Sequence, residues 1–133
     1  MRKLFVLILL LAIIPHAITV QAASPPLWTN CLPHEHEKRC RYVELMPDLD
    51  SRVYNVTLFQ GVRYKLIKGE TSEQNNCIII TGHIAGEPVG YFYIVELEGV
   101  YLIHIATPDG VWEVSRESGN IYRISELTFG PDA

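Results

Sequence analysis

The chain lacks the short motifs that carry common chemistries. It has no glycine-rich phosphate loop, no nucleophile elbow and no paired-carboxylate motif. No residue pattern therefore specifies a reaction, and the chain is expected to be non-enzymatic and to need no cofactor. Basic residues are also scarce: 11 Lys and Arg stand against 15 Asp and Glu, for a net charge of −4. Phosphate backbones are bound by clustered Lys and Arg, so nucleic acid is not an expected partner. Helical periodicity is missing beyond the N-terminal stretch. The long apolar run, Leu4 to Ile14, falls short of the roughly 20 residues that a bilayer span needs.

That run supplies an export signal instead. Arg2 and Lys3 precede it, Pro15 breaks it, and Val20-Gln21-Ala22 offers small residues where a signal peptidase reads. A basic end, a short apolar middle and a small-residue exit predict a secretory signal peptide over residues 1–22. The mature chain would start at Ala23, outside the cytosol, secreted or otherwise extracytoplasmic. It would carry no transmembrane segment. It loses two cations and no acid with the signal, so it is more acidic than the precursor. At about 110 residues it suits one domain.

Three cysteines follow the signal: Cys31, Cys40 and Cys77. In an oxidising compartment they allow one intramolecular bridge and leave one thiol over. Cys31–Cys40 would close a small loop over Leu32 to Arg39, whereas Cys40–Cys77 would staple the N-terminal arm to the domain. Short-range closure is entropically cheaper, which favours Cys31–Cys40. Cys77 is then a buried inert thiol, an intermolecular partner or a metal ligand.

Residues 23–50 read as an extended arm. Ser24-Pro25-Pro26, Pro33 and Pro47 interrupt regular structure, and one strand is expected near Arg41 to Leu45. Residues 51–133 read as strands throughout. Val56, Leu58, Val62, Tyr64 and Leu66 alternate with polar residues, and Cys77 to Ile80 forms a β-branched run. Lys68 to Asn76 is expected as a polar loop. Turns are expected at Gln60-Gly61, Ala85 to Pro88, Glu98-Gly99, Pro108-Asp109-Gly110 and Glu117 to Asn120. Short strands at this spacing predict an all-β antiparallel meander, curled into a small sandwich or barrel.

The segments Asn55-Val56-Thr57-Leu58, Thr81-Gly82-His83-Ile84-Ala85-Gly86, Pro108-Asp109-Gly110, Val111-Trp112-Glu113-Val114 and Ile121-Tyr122-Arg123-Ile124 follow a pattern of glycine turns and aliphatic strands. In this spacing the body resembles the propeptide-like domain that precedes the catalytic domain of reprolysin/ADAM-type zinc metalloproteases. Two positions depart from the family: Ile80 stands where Trp usually precedes the Thr-Gly turn, and His104 occupies a strand where a second Gly is common. His-Glu-x-x-His is absent, and in His34-Glu35-His36-Glu37-Lys38 a lysine stands at the second His position. The resemblance implies a free-standing module without a catalytic domain, with a metalloprotease as the protein partner that it inhibits or helps to fold.

Several residues are candidates for function. His34 and His36 are two apart and, in an extended chain, would point the same way, so they are candidate metal ligands with Cys31 or Cys40 if reduced. His83 or His104 beside Glu96 or Glu113 would be the minimum for acid–base chemistry. The aromatics Tyr91, Tyr93, Tyr101, Trp112 and Tyr122 lie on adjacent strands and are candidates for an outward protein-binding surface. Tyr91 and Tyr93 share a face, and Phe92 takes the other. Asn55-Val56-Thr57 makes Asn55 a glycosylation candidate. The leading expectation is a secreted, non-enzymatic protein-binding module. The alternative is a carrier of a small apolar ligand in a barrel lined by aromatics and Ile/Val.

Overall fold

A computed structural model describes residues 21–22 and 31–128. The first 20 residues of the expected signal and the Ser24-Pro25-Pro26 part of the arm lie outside the described residues. The strands are β1 (Gln21–Ala22), β2 (Glu37–Glu44), β3 (Val53–Phe59), β4 (Val62–Gln74), β5 (Cys77–Ile84), β6 (Glu87–Leu97), β7 (Val100–Thr107), β8 (Gly110–Ser118) and β9 (Ile121–Leu127). They form one sheet in the order β1-β2-β9-β8-β7-β6-β5-β4-β3. Every neighbouring pair is antiparallel. The fold is thus the expected all-β meander. It is a single sheet curled into an open half-barrel rather than a two-sheet sandwich.

Alternation decides which side chains enter the concave face. Phe92, Ile94, Ile103, Ile105, Trp112, Val114, Tyr122 and Ile124 are all buried there. Burying side chains of this size contributes about 1.5–3 kcal/mol each. Residues 37–44 are not an arm set ahead of this core. Val43 and Leu45 alternate into it, and β2 pairs with β9 from Glu37↔Leu127 to Glu44↔Ile121. The expected strand near Arg41 to Leu45 therefore starts earlier, at Glu37.

Two other local expectations change. Lys68 to Asn76 is no loop, because β4 runs on to Gln74 and pairs with β5 down to Gln74↔Cys77. The reversal falls on Asn75 and Asn76 alone, with φ of 52° and 63°. Asparagine tolerates that left-handed geometry, which suits a type I′ hairpin. Thr81-Gly82 is no turn either. It lies inside β5, and the chain turns only at Ala85-Gly86. Gly82 is needed for a close approach: a Cβ there would stand 2.1 Å from the Ile67 carbonyl oxygen and 2.6 Å from the Phe92 ring. The cross-strand partner Phe92 thus packs over bare backbone.

No backbone ladder joins the β2 and β3 sides of the half-barrel among the described residues. Side chains bridge the gap. Arg41 Nη2 donates to the Thr57 carbonyl at 3.0 Å, and the Arg39 guanidinium lies 4.1 Å over the Phe59 ring. Burial pushes the Arg41 pKa down.

Candidate functional site

The convex face of β6 and β7 carries the apolar surface. With Phe92 and Ile94 turned inward, alternation sends Val89, Tyr91, Tyr93, Val95 and Leu97 outward. Val89 is 78% exposed and Tyr91 53%, and Leu97, Val100 and Leu102 are also exposed. The register places Leu97 opposite Val100, Val95 opposite Leu102, and Tyr93 opposite His104. These side chains form rows across one hairpin, with no charged residue between the paired positions.

His104 occupies the middle of this face. Its ring stacks on Tyr93 at 4.9 Å and on Tyr91 at 5.7 Å. Its Nδ1 lies 3.5 Å from Glu113 Oε1, within ion-pair reach but without a hydrogen bond. The expected His104–Glu113 pair is therefore brought together. It sits on an outward sheet face, stacked between tyrosine rings. His83 is exposed at a separate position on β5.

Three of the five proposed surface aromatics are not on this face. Trp112 and Tyr122 are each 2% exposed and fill the concave core. Their strand parity, shared with Val114 and Ile124, turns them inward. Tyr101 is half-buried against Tyr122, and its backbone N–H donates to the Tyr122 hydroxyl at 3.0 Å. Burial, together with Glu96 and Tyr122, pushes the Tyr101 phenol pKa up. Only Tyr91 and Tyr93 remain as outward aromatics. The side chains that replace the others, Leu97, Val100 and Leu102, are aliphatic.

His34 and His36 do not share a side of an extended chain. They belong to a tight turn in which the Glu37 N–H donates to the His34 carbonyl at 3.1 Å and His36 has φ 70°. His34 approaches Glu37 at 3.8 Å, while His36 approaches Glu35 at 3.7 Å. Cys31 and Cys40 are joined in a disulfide with Cα atoms 5.6 Å apart, so neither thiol is free to ligate. Among the described residues no three His, Cys, Asp or Glu side chains converge on a point. Cys77 is the free cysteine, half-buried at the start of β5 opposite Leu97. Asn55 is exposed on β3, the edge strand of the sheet.

The turn and disulfide loop are clamped onto β9 by a pair that sequence reading missed. Arg123 Nη2 donates to Glu37 Oε1 at 2.5 Å and to the Leu32 carbonyl at 2.9 Å, and Arg123 Nε reaches Glu37 Oε2 at 3.4 Å. Their side chains are 7% and 10% exposed. Burial alone would raise the Glu37 pKa. Hydrogen bonds from Arg123, Ser125 and the His34 N–H outweigh it and lower the carboxyl to about 2. The same hydrogen bond, working against burial, raises Arg123. Thr128 completes the attachment, its N–H donating to the His36 carbonyl at 2.8 Å. The partners are 86 residues apart, and nothing local in the sequence pairs them.

A disulfide in this position is compatible with an extracellular location. No helix among the described residues is long and apolar enough to cross a membrane. No protein-family model matches the chain, and comparison with curated proteins and with solved structures likewise finds no match.

Proposed function

We propose that this chain is a secreted, non-enzymatic module that binds another protein through the convex face of β6 and β7. The observation that carries the reading is the segregation of exposed apolar side chains. Val89, Tyr91, Leu97, Val100 and Leu102 lie on one hairpin, while the exposed Leu32, Met46 and Val53 are scattered elsewhere. A contiguous apolar surface with polar surroundings marks an interaction site more often than scattered exposed residues do. Tyrosine supplies rigid contact area at low entropic cost. The signal-like N-terminus and the disulfide support a role outside the cytosol. The hairpin spacing that resembles metalloprotease propeptides makes a zinc metalloprotease catalytic domain the first partner to test, as inhibitor or folding partner.

The experiment compares the secreted chain with a Leu97→Asp/Leu102→Asp variant, both shown to be folded. Each is added over a broad concentration range to a metalloprotease from the same source, and turnover and direct binding are read. Slowed turnover with the native chain, lost in the variant, supports the proposal. Binding that survives the double substitution would remove this face from the interaction. Unchanged turnover and no binding would remove the metalloprotease.

A further inference from the structure

The concave core is not filled throughout. A cavity of about 130 Å³ lies beneath the segment that links β2 to β3. Leu45, Val56, Leu66, Ile94 and Ile103 line it, and every one of them is buried. The three largest aromatics named in the core, Phe92, Trp112 and Tyr122, do not line it. The buried floor of the void is therefore aliphatic, while Asp48, Ser51, Tyr54 and Asn55 also line it; Phe92, Trp112 and Tyr122 fill core space elsewhere.

The cover is a strap over residues 46–52. It is organised on Asp48, whose carboxylate accepts the Asp50 N–H at 3.0 Å and the Ser51 hydroxyl at 3.2 Å. One of the strap's ties to the barrel is the carbonyl of Leu49. It accepts Lys68 Nζ and the Tyr54 hydroxyl, the latter at 3.3 Å. At its far end the Lys68 N–H donates to the Arg52 carbonyl at 2.9 Å. Met46 on the strap is largely exposed. The strap thus covers part of the void, held by few attachments.

We propose that this cavity is a binding site for one small neutral apolar molecule, admitted when the strap lifts. The five buried aliphatic side chains give a ligand an apolar floor, and the polar lining residues belong to the strap and to β3. Apolar cavities of about 150 Å³ accept benzene. The volume here sets the ligand at about the size of a single six-membered ring or a short branched hydrocarbon. Drug-sized ligands need at least about 300 Å³ and are excluded without rearrangement. Asp48 at the mouth and Asp50 on the strap disfavour carboxylates and other anions, which sets the site apart from a fatty-acid pocket. The site lies on the opposite face of the sheet from the convex surface and does not depend on it.

Benzene is the test probe. The secreted chain, labelled on Ile, Leu and Val methyls, is titrated with benzene to its solubility limit and followed by methyl NMR. Saturable shifts at Leu45, Leu66, Ile94 and Ile103, with Val95 and Leu102 unmoved, are expected. No saturable shift at the cavity methyls in the folded chain overturns the site. Shifts confined to the convex methyls overturn it too. Ile103→Phe, which fills the void, should weaken benzene at least tenfold. Should that variant not fold, Val56→Ala enlarges the void and should admit toluene more tightly than the native chain does. Equal toluene affinity would count against the assigned location. Lys68→Met removes one strap attachment and should speed benzene exchange several-fold, whereas an unchanged rate would remove the strap as the gate.

Discussion

Arg123→Met isolates the clamp between the disulfide loop and β9. The substitution keeps much of the side-chain length and removes the guanidinium, leaving Glu37 buried with its main partner gone. Removing one member of a buried pair costs about 3–5 kcal/mol, because the other charge is left uncompensated. Proton linkage gives the scale of the whole Glu37 environment, which Arg123 shares with Ser125 and the His34 N–H. The Glu37 carboxyl is lowered from 4.5 to about 2. At about 1.4 kcal/mol per pKa unit, that shift corresponds to about 3 kcal/mol. The contribution is fully present above pH 4.5, where the carboxyl is ionised in both states. Below that the unfolded chain takes up the proton first, and stability falls until the folded carboxyl also protonates near pH 2. Urea unfolding at neutral pH and at several points down to pH 2 reads both quantities. Native protein should lose stability across that window more steeply than Glu37→Gln, which has no carboxyl to titrate. Arg123→Met should lose several kcal/mol at neutral pH, and Arg123→Met/Glu37→Leu should recover most of it. A loss below about 1 kcal/mol in Arg123→Met, with native acid sensitivity in Glu37→Gln, would refute the reasoning.

Other expectations follow from the packing. Gly82→Ala forces a methyl into the Ile67 carbonyl and the Phe92 ring and should cost at least about 1–3 kcal/mol, measured by thermal or urea unfolding. Replacing Cys31 and Cys40 together by serine opens a loop of nine-residue separation. The chain-entropy relation gives roughly 2–3 kcal/mol for that loss, read as a lower urea midpoint with unchanged slope. In hydrogen exchange, amides of β3 that face the β2 side should exchange before those of β6 and β7, since no backbone ladder protects them.

Much of the fold was legible because its turns are chemically marked. Gln60-Gly61 and Glu98-Gly99 stand where two hairpins reverse, and Pro108-Asp109 where a third does, with Gly110 already paired to Thr107 in β8 rather than supplying a positive φ; the meander order follows from their spacing. The second half of β4 was not legible. Past Lys68 it runs beyond its pairing with β3, and residues 69–74 are exposed on both faces or nearly so, so apolar alternation disappears. The Cys31–Cys40 pairing was legible from loop length. The exposed apolar face was only half so. Alternation separates Tyr91 and Tyr93 from Phe92, but it does not say which parity on a neighbouring strand points the same way. Trp112 and Tyr122 could be placed only once the register to β7 and β9 was known. Histidine spacing misled at His34 and His36 because the argument assumed an extended backbone where His36 turns left-handed.

The pairing of β2 with β9 sets an order of assembly. A strand near the start of the chain has its long partner in the last strand, so its ladder cannot form until β9 has arrived. In a chain that emerges N-terminus first, β3 to β8 can zip hairpin by hairpin, while β2 waits. The Cys31–Cys40 bridge needs none of those strands, only the short segment around it. It can form early and hold the waiting segment in a compact loop, ready for Arg123 to dock as the final strand comes through.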